Sequence, residues 1–269
     1  MAQTLADIRA ALSAATEEEF EALSRALAED GRKGVQQALA AARRRMAARR
    51  AEEERLAAMY AFQSELASGG IAVGLDEVGR GPVAGPLTVA AVVLPDEPRI
   101  AGLNDSKQIK PERRESIAAE VKRCACAWSI EHIEPAWIDE HGMAAALREA
   151  FSRALASVEA QGVVADCVLL DGNALGLDPR ECNVVKGDAK CACIAAASVI
   201  AKVERDARMV AYANDYPAYG FDRNKGYASA EHIAAIERFG LSPLHRATFC
   251  HAWTQDAPQQ CALSFGDRK

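Results

Sequence analysis

The sequence predicts a layered α/β domain preceded by an all-helical N-terminal extension. Three observations carry that reading. Residues 1–68 are rich in Ala, Glu, Arg and Leu, with glycine only at Gly31 and Gly34 and no proline. After Ser68-Gly69-Gly70, short apolar runs give way to helical patterns and back, as in layered α/β domains. Half of the 269 residues are hydrophobic, enough for one sizeable core.

Within the extension, Leu5, Ile8 and Leu12 recur at helical spacing. Thr16 followed by Glu19 has the pattern of a capping box, in which each side chain bonds the other's free backbone N–H. Phe20, Leu23 and Leu27 continue one face, and Asp30-Gly31 reads as the end of that helix, because glycine tolerates the left-handed cap. A long helix is expected from Val35 to Leu66, with Ser68-Gly69-Gly70 as the hinge beyond it. Ile71 to Leu75 then reads as a short buried strand, and Leu87 to Leu94 as a longer one stopped by Pro95. Alternation through Ala125, Ala127, Ser129 and Glu131 suggests a third strand, and Cys167 to Leu170 a fourth. Helices are expected over 111–123, 142–161, 189–212 and 229–238. The polar stretch from Trp253 onward reads as a loose tail. The expected division is therefore 1–68, 69–252 and 253–269.

Composition excludes several classes. No run of 18 apolar residues exists, so no spanning helix is expected, and Asp7 and Arg9 interrupt any signal-peptide core. A cytoplasmic protein, monomeric and with no membrane partner, is the expectation. The eight cysteines form no C-x-x-C pair, so reduced thiols are expected rather than a zinc ribbon or disulfide framework. Net charge is −6, which excludes a globally basic coat and leaves only a local nucleic-acid patch.

The chemistry concentrates in acids that close apolar runs. Asp76 and Glu77 end the first strand and run into Val78-Gly79-Arg80-Gly81. Asp171 closes a second short strand 95 positions later. If those strands are parallel neighbours, both carboxylates emerge at one sheet end, where α/β sheets place their sites. Asp188, in Lys186-Gly187-Asp188-Ala189, stands before a long helix and also suits an N-cap. Each motif alone is also a polar turn.

Taken together, GLDEVGRGPVAGP from Gly74, LNDSK at 103–107, LLDGN at 169–173, KGDAK at 186–190, IAAASVIAKVERD at 194–206 and YGFDRNKGYAS at 219–229 resemble bacterial ribonuclease HII. The similarity runs from about Gly70 to Phe249, with the motifs in the family's order. The resemblance implies a ribonuclease H-like mixed sheet flanked by helices. It implies that Asp76, Glu77, Asp171 and Asp188 match the family's four catalytic, metal-holding acids. The implied reaction is hydrolysis of the phosphodiester 5′ of a ribonucleotide, in RNA–DNA hybrids or embedded singly in duplex DNA, leaving a 3′-hydroxyl and a 5′-phosphate. The expected cofactors are two divalent cations, magnesium or manganese. That agrees with elementary chemistry: paired hard cations stabilise attacking and leaving oxygens, and an all-carboxylate donor set suits them better than zinc.

In the family, the loop matching Gly79-Arg80-Gly81 and the tyrosine matching Tyr227 read the RNA-to-DNA junction. Glycine there permits close backbone approach to a 2′-hydroxyl, the group that distinguishes RNA. Lys107 resembles the family's backbone-contacting lysine. Lys202, Arg205 and Arg208 are candidate phosphate contacts. His245-Arg246 is followed by Ala247, where the family usually has a second basic residue, so no contact is assigned to that segment. His132, His141, His232 and His251 are expected to do packing or surface work, and no catalytic histidine is assigned. Arg43, Arg44, Arg45, Arg49 and Arg50 form a basic stretch of the extension, balanced by Glu52, Glu53 and Glu54. Two other readings are a ribonuclease HIII, disfavoured by the GRG motif, and a non-catalytic binding protein, disfavoured because no acid is missing.

Overall fold

The computed structural model describes residues 4–254. The chain divides into two compact units, Met1–Ala58 and Met59–Lys269, and the division falls inside one long helix. In the first unit, α1 (Leu5–Ala14), α2 (Glu17–Ala26) and the start of α3 (Lys33–Leu66) enclose Ile8, Leu12, Phe20, Leu27, Val35 and Leu39. Both short helices begin with reciprocal capping boxes, Thr4 with Asp7 and the expected Thr16 with Glu19. The expected glycine cap is corrected. Helix α2 ends at Ala26 with Leu27 as its cap, and Gly31 is absent from the left-handed glycines. Asp30 accepts from the backbone and side chain of Arg32 instead.

The second unit is built on β1 (Ala72–Val78), β2 (Leu87–Val93), β3 (Ala127–Ile133), β4 (Cys167–Asp171) and β5 (Glu181–Val184), ordered β3-β2-β1-β4-β5. β1 pairs antiparallel with β2 and β2 with β3, whereas β1–β4 and β4–β5 are parallel. The helices are α4 (Pro111–Cys124), α5 (Pro135–His141), α6 (Met143–Glu159), α7 (Ala192–Asp215), α8 (Phe221–Asn224), α9 (Ala230–Phe239) and α10 (His251–Thr254). Residues alternate across a strand, so Val73 and Leu75 face the cluster shared with Phe151 and Leu155 of α6. Gly74 and Asp76 face α7. A Cβ on Gly74 would lie 2.3 Å from the Cys193 carbonyl carbon, so only glycine lets α7 settle against β1. The alanine-rich start of α7 is buried throughout, as that approach demands. The free N–H of Cys193 is taken by Gln63 Oε1 at 2.9 Å.

Three elements were not anticipated, among them the single turn α8. β5 is four mostly half-buried residues without alternation, and α5 is two turns opened by a proline. The helix expected at 189 begins at Ala192 with Cys191 as N-cap, so Asp188 does not cap it. The start of the expected tail, to Thr254, is helical, and the rest of it lies outside the described residues. Among the described residues no helix is long and apolar enough to cross a membrane. The seven described cysteines are free.

Candidate active site

Asp76 and Asp171 each follow the paired positions Leu75 and Leu170 of parallel strands. Their carboxylates therefore leave the sheet side by side at its carboxyl end. Asp188 arrives on a single turn of tight helix, Gly187–Ala189, which follows Lys186 in the left-handed conformation. The Gly187 N–H donates to Asp171 Oδ1 at 2.6 Å, which ties this turn to the end of β4.

Burial and mutual repulsion mark the cluster. Asp76 is 7% exposed, and burial, then Glu77, then Asp171 push its carboxyl well above the usual range, against a hydrogen bond from Ser198. Ser198 Oγ in turn lies 3.0 Å from Ser106 Oγ. Glu77 is raised by burial and by Asp171, and Arg80, 3.8 Å away, opposes the rise. Asp188 is raised by burial, Asp171 and Asp105, and Lys107, 4.0 Å away, opposes it. Asp105 is thus a fifth carboxylate of the cluster; its place in an Asn-Asp-Ser turn gave no sign of it. Its Oδ1 accepts the Lys107 N–H at 2.9 Å.

Such a set is costly to ionise unaided, and bound cations would relieve that cost. Its donors are oxygens alone, which fits magnesium or manganese. Among the described residues no three His, Cys, Asp or Glu side chains converge tightly enough to enclose an ion by themselves. Magnesium characteristically takes one or two carboxylates plus substrate phosphate.

Beside the acids, Gly79 has φ +89°, and a Cβ there would lie 2.2 Å from Arg205 Nε, so the fold requires glycine. Gly81 has open space around it and no positive φ, so the fold does not. The loop is held from behind by two buried arginines, Arg205 and Arg246, in a role that the sequence does not show. Arg246 donates to the carbonyls of Gly79, Arg80, Pro82 and Gly85. Arg205 donates to those of Ala84, Pro86 and Lys225. With carbonyls drawn inward, the N–H groups of Gly79, Arg80 and Gly81 find no acceptor among the described residues. The candidate phosphate role of Arg205 is corrected accordingly: the side chain is fully buried. Lys202 pairs with Asp206 at 2.8 Å, and Arg208 reaches Glu134 at 3.5 Å. The only hint of the arginine clamp was the polar pair His245-Arg246 in an otherwise apolar stretch.

Tyr227 is 49% exposed, and its loop is joined to the same region. The Gly226 carbonyl accepts from Val83 and Ala84, where a Gly226 Cβ would lie 2.2 Å from the Ala84 oxygen. In the first unit, Arg43 bonds Ser24, Arg45 bonds the Leu12 carbonyl, and Arg49 and Arg50 pair with Glu53 and Glu54. Much of the basic stretch is thus internally paired.

Comparison with known proteins shows the family. Residues 73–252 match the family model described as Ribonuclease HII, and residues 4–67 match Ribonuclease HII N-terminal domain. The chain is 42% identical over 225 residues to "Ribonuclease HII" of Geobacillus kaustophilus, covering 83% of this chain and 85% of the relative. It is 46% identical over 209 residues to the protein of the same name from Moorella thermoacetica, covering 77% of this chain and 100% of the relative. Among solved structures, ribonuclease H2 from Pyrococcus horikoshii OT3 superposes with a TM-score of 0.57 at 27% identity, covering 68% of this chain and 96% of that one. Bst-RNase HIII in complex with Mn2+ superposes with a TM-score of 0.55 at 19% identity, covering 69% and 70%, a likeness of fold alone. The N-terminal match speaks against the ribonuclease HIII reading.

Proposed function

The chain belongs to the ribonuclease HII family and is a ribonuclease H endonuclease acting on RNA–DNA, and from that premise we propose that it cuts 5′ of ribonucleotides, including single ones embedded in duplex DNA. The products carry a 3′-hydroxyl and a 5′-phosphate, and the cut starts ribonucleotide removal during replication and repair in the cytoplasm. The observation that carries the reading is the emergence of Asp76 and Asp171 from adjacent parallel strands, beside a loop whose Gly79, Arg80 and Gly81 N–H groups meet no acceptor among the described residues.

Asp76, Glu77, Asp171 and Asp188 would hold two divalent cations, magnesium or manganese. When bound, these supply charge neutralisation for the attacking and leaving oxygens of the phosphodiester. Ser198, with Ser106 behind it, orients the Asp76 carboxylate. The Gly187 N–H fixes that of Asp171. Lys107 faces the acids with 81% of its side chain exposed, free to meet a substrate phosphate. Gly79-Arg80-Gly81 offers its N–H groups to the ribose 2′-hydroxyl and neighbouring phosphate, and the open side of Gly81 admits the sugar. Tyr227 packs on the deoxyribose that follows. Residues 69–252 carry this chemistry as a monomer, and 1–68 is a helical extension.

The test is a labelled duplex with one embedded ribonucleotide, incubated with magnesium or manganese. We expect a single nick whose 3′ end a DNA polymerase extends and whose 5′ end ligase accepts. An intact duplex, or a 2′,3′-cyclic phosphate end, refutes the proposal.

A further inference from the structure

Behind Tyr227 sit two buried imidazoles that the chemistry above does not use. His232 and His245 meet Nε2 to Nε2 at 3.0 Å. They are 0% and 4% exposed and pack edge-on or tilted against Tyr219 and Phe221. The hydrogen-bond directions are fixed from both ends. The Ser242 N–H, which can only donate, reaches His245 Nδ1 at 2.9 Å, so His245 carries its proton on Nε2. That proton goes to His232 Nε2. His232 therefore carries its own proton on Nδ1 and donates it to the Tyr227 carbonyl at 2.8 Å, an oxygen that can only accept. A third proton anywhere along this line would set two donors face to face. Burial agrees, holding His232 below its ordinary value and His245 down at about 4.

The other hand of His245 lies on the substrate loop. Its backbone bridges Ala84, flanked by Gly85 N–H to Leu244 O at 2.8 Å and Arg246 N–H to Val83 O at 2.8 Å. One short segment thus touches the stretch that continues Gly79-Arg80-Gly81 through its backbone, and Tyr227 through two imidazoles.

We propose that His232 and His245 are positioning residues that fix Tyr227 at a set distance from the Gly79–Gly81 loop, so that ribose and following deoxyribose are read as one unit. This rests on the assignment of Tyr227 and the loop to substrate reading. A long hybrid offers no such junction at most cut sites, so the relay governs cutting at single ribonucleotides.

The experiment compares His232→Phe with His232→Gln in the full-length protein. Phenylalanine keeps the ring volume but neither hydrogen bond. A glutamine amide has one acceptor for His245 Nε2–H and one donor for the Tyr227 carbonyl. Losing a buried hydrogen bond is worth about tenfold. His232→Phe is therefore expected to lose about tenfold in kcat/KM on a single-ribonucleotide duplex and less than about twofold on a long hybrid, with glutamine restoring most of the loss. Equal loss on both substrates, no loss on either, or glutamine no better than phenylalanine overturns the proposal. If His232→Phe does not fold, nitrogen NMR of the unmutated protein decides: we expect Nδ1–H on His232 and Nε2–H on His245, and the opposite tautomer or an imidazolium at neutral pH overturns it. An unmutated protein that cuts neither substrate refutes the substrate reading instead, and the NMR tautomers still judge the relay.

Discussion

Replacing Arg246 by methionine keeps the apolar stem and removes the guanidinium that grips the Gly79–Gly85 loop. The side chain is fully buried and donates five hydrogen bonds to four carbonyls. Charge-assisted bonds of this kind contribute roughly 2 kcal/mol each, or about 10 kcal/mol together. Against that stands the cost of burying a cation with no carboxylate bonded to it. Burial, with repulsion from Arg205, lowers the guanidinium to about 9, a penalty of about 5 kcal/mol. Some freed carbonyls also reach water, because Arg80 and Gly81 are exposed. The net loss is about 4 kcal/mol, which lowers the melting temperature of a unit this size by roughly 8–16 °C. The assay is a thermal melt alongside cleavage of a single-ribonucleotide duplex, with Arg246→Lys as intermediate because an ammonium lacks the planar fork. Cleavage should fall with the melting temperature lowered, since the loop N–H groups lose their aim. A melt within about 2 °C of the unmutated protein, less than 1 kcal/mol by the same conversion, together with unchanged cleavage, would refute the clamp.

Four further outcomes follow from the same geometry. Asp76→Asn should abolish cleavage yet raise the melting temperature of the metal-free protein at neutral pH, since it removes a buried charge beside Glu77 and Asp171. Because Asp76, Glu77 and Asp188 hold their protons to higher pH folded than unfolded, metal-free stability should fall as pH rises from the ordinary carboxylate range upward. Excess magnesium should flatten that fall, and melts across pH with and without chelator check both. Gly74→Ala, whose Cβ would lie 2.3 Å from the Cys193 carbonyl carbon, should cost at least about 1–3 kcal/mol, read as a lower denaturant midpoint. Arg80→Ala and Tyr227→Ala should damage cutting at single ribonucleotides more than cutting of a long hybrid; equal loss in parallel kinetics would contradict their junction role.

The sequence made the acids visible because each closes an apolar run, and an ionisable group abutting a core strand needs a reason. The parallel neighbours β1 and β4 could be posed from those runs, and their pairing is what the structure supplies. Gly74 and the alanine-rich start of α7 were legible only as motif letters; their meaning is the contact between them. The side chains that aim the site were not legible. Arg246 and Arg205 act on carbonyls more than 100 positions away, and a buried arginine reads in sequence like a surface one. His232 reads as a packing residue and His245 carries no assigned contact, because nothing in their spacing shows that one proton line joins them. β5 and α5 were missed because short, half-buried elements carry no period to detect.

Everything proposed for the site requires that Asp76, Glu77, Asp171 and Asp188 together hold the divalent ions beside the glycine loop. Anomalous X-ray scattering from crystals soaked in manganese, grown with a cleavage-resistant duplex carrying one ribonucleotide, tests it directly. We expect manganese peaks within coordination distance of those four carboxylates and of the phosphate 5′ of the ribonucleotide. Peaks confined to other carboxylates, or none near Asp76 and Asp171, would contradict it.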